Sequence, residues 1–167
     1  MSGKQTPGPA RSPYITREGW ETLNQEQDAL WKRRRKVVTH LAAAAAEGDR
    51  SENAEYIYRK KQLREIDRRI RYLQKRLPEL QVVHAFPENA ERVFFGAWIT
   101  LRDSGGQEVT YRIVGADESD HRRNWISIDS PMARALLRHA LDETVLVHTP
   151  SGAAEWEIQA IRYTEHE

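Results

Sequence analysis

Apolar side chains recur on a helical period through the first half of the chain, and the repeat is broken once. Trp20, Leu23, Leu30, Val37, Leu41 and Ala44 trace one stripe; Leu63, Ile66, Ile70, Leu73, Leu77 and Leu80 trace a second, at alternating spacings of three and four. Such spacing is that of a coiled-coil seam. Between the stripes stands Gly48-Asp49-Arg50-Ser51-Glu52-Asn53-Ala54-Glu55-Tyr56. A break that short makes the helices fold back on each other, which predicts an antiparallel hairpin with 48–56 at its tip. Antiparallel register sets Trp20 opposite Leu80, Leu23 opposite Leu77, Leu30 opposite Ile70 and Val37 opposite Leu63. At about 1.5 Å per residue the first helix spans roughly 45 to 50 Å. Thr16 is its expected N-cap, and Gly19 in its first turn weakens helix propensity unless a close contact requires it.

After Leu80 the period changes from helix to strand. Val82-Val83-His84-Ala85-Phe86, Val93 to Leu101, Gln107 to Val114, Trp125 to Ile128, Thr144 to His148 and Ala154 to Tyr163 read as strands, with Asp103-Ser104-Gly105-Gly106 as a hairpin turn. Ser130-Pro131 opens a helix through His139 in the favoured order of cap then proline. The fold class is α+β: a long hairpin over residues 14–80, then a small, mostly antiparallel sheet with one packed helix over 81–167. Trp98, Trp125 and Trp156 are expected in the core or half-buried on the sheet. Residues 1–13, polar and holding three of the seven prolines, read as a disordered leader.

Charge changes this picture more than composition does. The formal net charge is only +1, but residues 1–80 carry 18 Lys or Arg against 11 Asp or Glu, a balance of +7, and residues 81–167 carry 8 against 14, a balance of −6. A basic rod and an acidic globule assign any nucleic-acid contact to the rod. There are no cysteines, which excludes disulfides, thiolate metal sites and cysteine nucleophiles. No membrane span or apolar signal core is present, so the expected location is the cytoplasm. The six histidines lack ligand spacing, and neither a nucleophile-elbow serine nor a phosphate-binding glycine loop occurs.

Two clusters carry candidate chemistry. Lys32, Arg33, Arg35 and Lys36, with Arg34 among them on the seam, form the densest charge run, and Arg59, Lys60, Lys61 and Arg64 continue it on the second helix. This basic face either tracks a phosphate backbone or is a solvated flank. At the tip, Asp49 and Glu52 stand three apart. They read as a capping box for the second helix, with Asp49 or Ser51 as cap, or as two carboxylates turned toward a shared metal ion. Two carboxylates alone do not complete the octahedral shell of Mg²⁺.

The tip nonapeptide, Leu63-Arg64-Glu65-Ile66-Asp67-Arg68-Arg69-Ile70, Val93-Phe94-Phe95-Gly96-Ala97-Trp98, Tyr111-Arg112-Ile113-Val114-Gly115, and the run from Ile126 through Ser130-Pro131-Met132 to Leu137 resemble the bacterial Gre transcript cleavage factors. The likeness runs from about Tyr14 to Tyr163, and the strongly basic rod is most like the family's B-type branch. The resemblance implies an FKBP-like C-terminal domain that docks at the rim of the RNA polymerase secondary channel while the hairpin enters toward the active site. By that resemblance Asp49 helps hold the second catalytic Mg²⁺, an ion shared with polymerase, and Glu52 orients the attacking water. Asn53 and Tyr56 match supporting tip residues, and Ser130, Pro131 and Met132 match the docking motif. The expected function is stimulation of the polymerase's own cleavage of backtracked RNA, with no complete active site in the factor. Expected partners are polymerase, the 3′ segment of the RNA and, weakly, DNA, for a protein that is itself monomeric. A non-cleaving channel regulator and a plain coiled-coil nucleic-acid-binding module are the alternatives.

Overall fold

The computed structural model describes residues 10–48 and 53–164. It divides into two compact units: Trp20–Leu80, and the chain up to Gly19 together with everything from Gln81 onward.

Two helices, α1 (Arg17–Ala45) and α2 (Ala54–Arg76), supply the first unit. At 1.5 Å per residue they are about 43 and 35 Å long. Val37, Ile66 and Ile70 are buried together with Leu30 and Leu63 packed against them, and Leu23, Ala44 and Leu73 are buried as well. Polar rungs flank this seam. Asn53 Nδ2 donates to the Ala44 carbonyl at 2.8 Å, Arg34 Nε to Asp67 at 2.7 Å, and Arg69 to both carboxylate oxygens of Glu26 at 2.7 and 2.9 Å. Partners on α2 advance as those on α1 retreat, so the helices are antiparallel. Arg34, which breaks the apolar stripe, is accommodated by its bond to Asp67 rather than by its methylenes alone. The seam ends sooner than the spacing predicts: Trp20, expected opposite Leu80, is 39% exposed. Beyond Arg76 the chain tightens into a 3-10 turn, Leu77–Glu79, around Pro78. The turn takes Leu80 off the α-helical stripe.

A five-stranded sheet in the order β5-β4-β3-β7-β6 forms most of the second unit. Its strands are β3 (Trp98–Asp103), β4 (Glu108–Val114), β5 (Trp125–Ser127), β6 (Thr144–Thr149) and β7 (Gly152–Arg162). All neighbours are antiparallel except β4 and β5. Alternation places Ile99 and Leu101 in the core with Ile113, Val147, Ile158 and, from the helix α3 (Pro131–Leu136), Leu136. Trp98, Trp125 and Trp156 are half-buried, as expected. On the outward face, register aligns Trp125, Arg112, Trp98 and Arg162 in one row across four strands. The Arg112 guanidinium lies 3.9 Å from the Trp98 ring centroid and 4.6 Å from that of Trp125.

The structure departs from the sequence pattern at three further points. Val93 to Leu101 is not one strand, because the ladder starts only at Trp98. Val93 instead exchanges backbone bonds with the segment after α3: its N–H donates to the His139 carbonyl at 2.9 Å, and its carbonyl accepts from Arg138 at 2.7 Å. Those bonds also end α3 at Leu136 rather than His139, with Arg138 turned to φ 71°. Third, the leader does not extend to residue 13. Residues 1–9 lie outside the described residues, but the Ser12 N–H donates to Asp129 at 2.9 Å. Strand β1 (Tyr14–Thr16) pairs in parallel with β2 (Gln81–Val83) as a separate two-stranded sheet, and Ile15 is fully buried. The segment from 14 to 16, assigned from the pattern to the hairpin, thus belongs to the globular unit.

Glu118 ties this edge together. Its carboxylate accepts from the Thr16 N–H at 2.9 Å, the Gly115 N–H at 2.8 Å and the Thr16 hydroxyl, whose oxygen accepts the Gly19 N–H at 3.0 Å as the α1 cap. A Cβ at Gly19 would overlap the Glu118 carboxylate, which explains a glycine in the first helical turn. Helix propensity alone favours Gly19→Ala by about 1 kcal/mol. The packing reverses that sign: the substitution is expected to destabilise by about 1–2 kcal/mol through loss of the Glu118 bonds. A urea melt measures the direction.

Candidate functional site at the hairpin tip and basic face

Small residues bring α1 to its end. The Ala46 N–H is shared between the Ala42 and Ala43 carbonyls at 3.2 Å each, and Glu47 donates to Ala44 at 3.3 Å, a narrowing typical of a last helical turn. Gly48 then takes φ +125°, a conformation open to glycine and strained for other residues. On the other side Asn53 opens α2. Its Oδ1 accepts the Tyr56 N–H at 3.1 Å while its Nδ2 holds the Ala44 carbonyl. One amide side chain therefore caps α2 and clasps it to the end of α1.

This corrects the assignment of the α2 cap to Asp49 or Ser51. The N-cap position is Asn53, and the reason is local. An asparagine directly before the first helical residue reaches N3 with its oxygen and has an amide left over for a carbonyl. Asp49 and Glu52 lie outside the described residues, as do Arg50 and Ser51. Tyr56 is half-buried, with the Lys60 ammonium 5.9 Å from its ring centroid.

The basic face divides into engaged and exposed cations. Arg59 is engaged: Nε donates to Glu55 at 2.7 Å and a terminal nitrogen to Gln62 at 3.1 Å. Lys32, Arg33, Arg35, Lys36, Lys60, Lys61 and Arg64 are exposed. Glu26 and Asp67 are already occupied by Arg69 and Arg34, so positive charge remains in excess on both helices.

In the globular unit, Ser130 is the N-cap of α3, its Oγ accepting the Ala133 N–H at 3.2 Å. Pro131 is exposed at the first helical position, and Met132 is half-buried against the core. Ser130 also borders an open cleft of about 470 Å³ with Tyr111, Trp125 and Ile126 among its walls. Of these three residues, Pro131 offers the most accessible surface, while Ser130 caps the helix and Met132 packs it on the core. Among the described residues, no three His, Asp or Glu side chains converge to hold a metal ion, and no helix is long and apolar enough to cross a membrane.

Both halves match known sequence profiles: residues 13–82 that of "Transcription elongation factor, N-terminal", residues 88–163 that of "Transcription elongation factor, GreA/GreB, C-term". Transcription elongation factor GreB of Haemophilus ducreyi is 56% identical over 155 residues, 92% of this chain and 96% of that protein. The chain belongs to the GreA/GreB family of transcription elongation factors. GreB of Pseudomonas aeruginosa is 54% identical over 164 residues, 98% of each chain. Among solved structures, that of GreA factor homolog 1 (Gfh1) of Thermus thermophilus aligns at 24% identity over 91% of this chain and 99% of its own, with a TM-score of 0.42. Both GreB relatives are matched over nearly their full length, so this GreA/GreB member carries both parts of the family's architecture.

Proposed function

We propose that this Gre-family protein acts in the cytoplasm on bacterial RNA polymerase, stimulating the polymerase's own hydrolysis of backtracked RNA. The observation that carries this reading beyond family membership is the Asn53 cap. With α2 capped by an amide, the capping-box role that competed for Asp49 and Glu52 is already filled. Asp49 and Glu52, three apart in the sequence between α1 and α2, are then left to a different role. Their hard oxygen donors suit Mg²⁺ but are too few to enclose it, so they fit a shell shared with polymerase. An ion held there would acidify a bound water and stabilise charge on the leaving oxygen.

The chain's own residues have three tasks in this reading. Asp49 and Glu52 supply carboxylate oxygens, Glu52 also orienting water. Asn53 and Tyr56 set the start of α2 beside them, through the clasp to Ala44 and the N-cap bond. The exposed cations of both helices neutralise phosphates of the extruded RNA 3′ segment, with weaker contact to DNA. Pro131, set by Ser130 and Met132, touches the rim of the secondary channel. The factor has no complete active site and works as a monomer.

The test is a ladder of stalled elongation complexes backtracked by increasing lengths. The unaltered protein should shorten the RNA from its 3′ end in every complex. Replacing Arg33, Arg35 and Lys36 together by alanine should reduce the rate more on long extruded segments than on short ones, because a longer segment offers more phosphates. Absence of cleavage with the unaltered protein would reject the function, and equal losses along the ladder would reject the extended RNA contact.

A further inference from the structure

We propose that Trp31 is a stacking platform for an unpaired base of single-stranded RNA, set into the basic face of the hairpin. The inference rests on the RNA-contacting role proposed above and adds a residue that touches bases rather than phosphates. Trp31 lies in the middle of α1, one position past the seam residue Leu30, and is 38% exposed. It is not among the residues of the buried seam cluster. It opens the densest run of positive charge in the chain, Lys32 to Lys36. Helical spacing places Arg34, Arg35 and Val38 on the same stripe, three, four and seven residues on, and Val38 is 39% exposed.

Arg34 shows how the ring is held. Its guanidinium carbon is 6.0 Å from the indole centroid, the outer limit of a cation–π contact, while its Nε is bonded to Asp67 at 2.7 Å. The cation is therefore held beside the ring by its bond to α2. The result is an aromatic surface beside one cation that Asp67 holds in place, within a run of exposed ones. Proteins that bind single strands combine these two elements, a positive track for the backbone and aromatic faces for successive bases. Tyr58, 57% exposed with Arg59 5.4 Å from its ring centroid, repeats the pairing near the tip. A stacking platform tolerates any base but requires it unpaired, because a duplex hides base faces and presents only edges. An apolar protein partner would suit the indole but not the five consecutive cations beside it.

The test uses the full-length protein and short labelled RNAs: a single strand, the same strand with abasic nucleotides, and a duplex. Trp31→Ala should weaken single-strand binding about tenfold and change abasic and duplex binding less than twofold. It should leave the dependence of affinity on salt unaltered, since no phosphate contact is removed. Trp31→Phe should restore most of the affinity. Unchanged single-strand affinity in Trp31→Ala, an equal loss on the abasic strand, or no single-strand binding by the unaltered protein would each overturn the proposal. Cleavage of stalled complexes is scored separately and depends on Asp49 and Glu52. Normal cleavage stimulation with an inert Trp31 would remove only the platform; loss of stimulation by the unaltered protein would remove the proposed function itself.

Discussion

Asp49→Asn and Glu52→Gln should each abolish most stimulation of transcript cleavage, by roughly 100-fold or about 2.7 kcal/mol of activation free energy, while the protein stays folded. Both substitutions keep size and hydrogen-bonding capacity and remove only the charge that a metal ion needs. Were either residue the α2 cap, its full loss would cost about 0.5–2 kcal/mol of stability. With Asn53 in that position, thermal melts of both variants should match the unaltered protein. Competition for polymerase should also persist, because the docking surface and basic face are untouched. On the proposed roles, raised Mg²⁺ should partly rescue Asp49→Asn by restoring the ion, and rescue Glu52→Gln less, because more ion does not orient water. Full cleavage by a folded variant at limiting Mg²⁺ would sink the role of that carboxylate. Loss of polymerase binding along with cleavage would move the residue into docking.

The second large effect concerns where the globular unit begins. A fragment of residues 82–167, cut where charge and periodicity change, should be severely destabilised because it lacks β1. It loses Ile15, whose burial contributes about 1.5–3 kcal/mol, the parallel ladder to β2, and the groups that satisfy Glu118. Set against a typical total of about 5–15 kcal/mol, those losses should lower the melting temperature by more than 10 °C, at about 4–8 °C per kcal/mol for a domain of this size. A fragment in which residues 10–19 are joined by a short linker to residues 81–167 should recover the melt and bind polymerase without stimulating cleavage. Equal melts for the two fragments would show that β1 is dispensable.

The contrast between these two sites shows what the amino-acid order makes visible. The hairpin was legible because its seam residues recur three, four or seven positions apart, and one long repeat outweighs local exceptions such as Arg34. Strand β1 was hidden because three residues carry no periodicity, and its partner β2 lies more than sixty positions away. The cap was ambiguous for a different reason. Asp49, Ser51 and Asn53 are all capping types, and only the carbonyl of Ala44, brought close by the hairpin itself, selects among them. Trp31 gives a weaker signal than the five cations that follow it, although an indole off the heptad stripe is itself unusual. The row of Trp125, Arg112, Trp98 and Arg162 depends on register across four strands, which residue spacing along one strand does not encode.

The pairing of β1 with β2 also has a kinetic side. Parallel strands need a crossover connection, and here the crossover is the whole helical hairpin. For a flexible loop of that length, closure costs about (3/2)RT ln n, some 3.7 kcal/mol plus a constant. The hairpin's own contacts are between residues that approach one another in sequence toward the tip, so they can zip up locally before any distant pairing is made. Once zipped, the hairpin returns the chain to near its starting point, and most of the search for β2 by β1 is already done. The topology therefore favours zipping of the helices before pairing of the two distant strands.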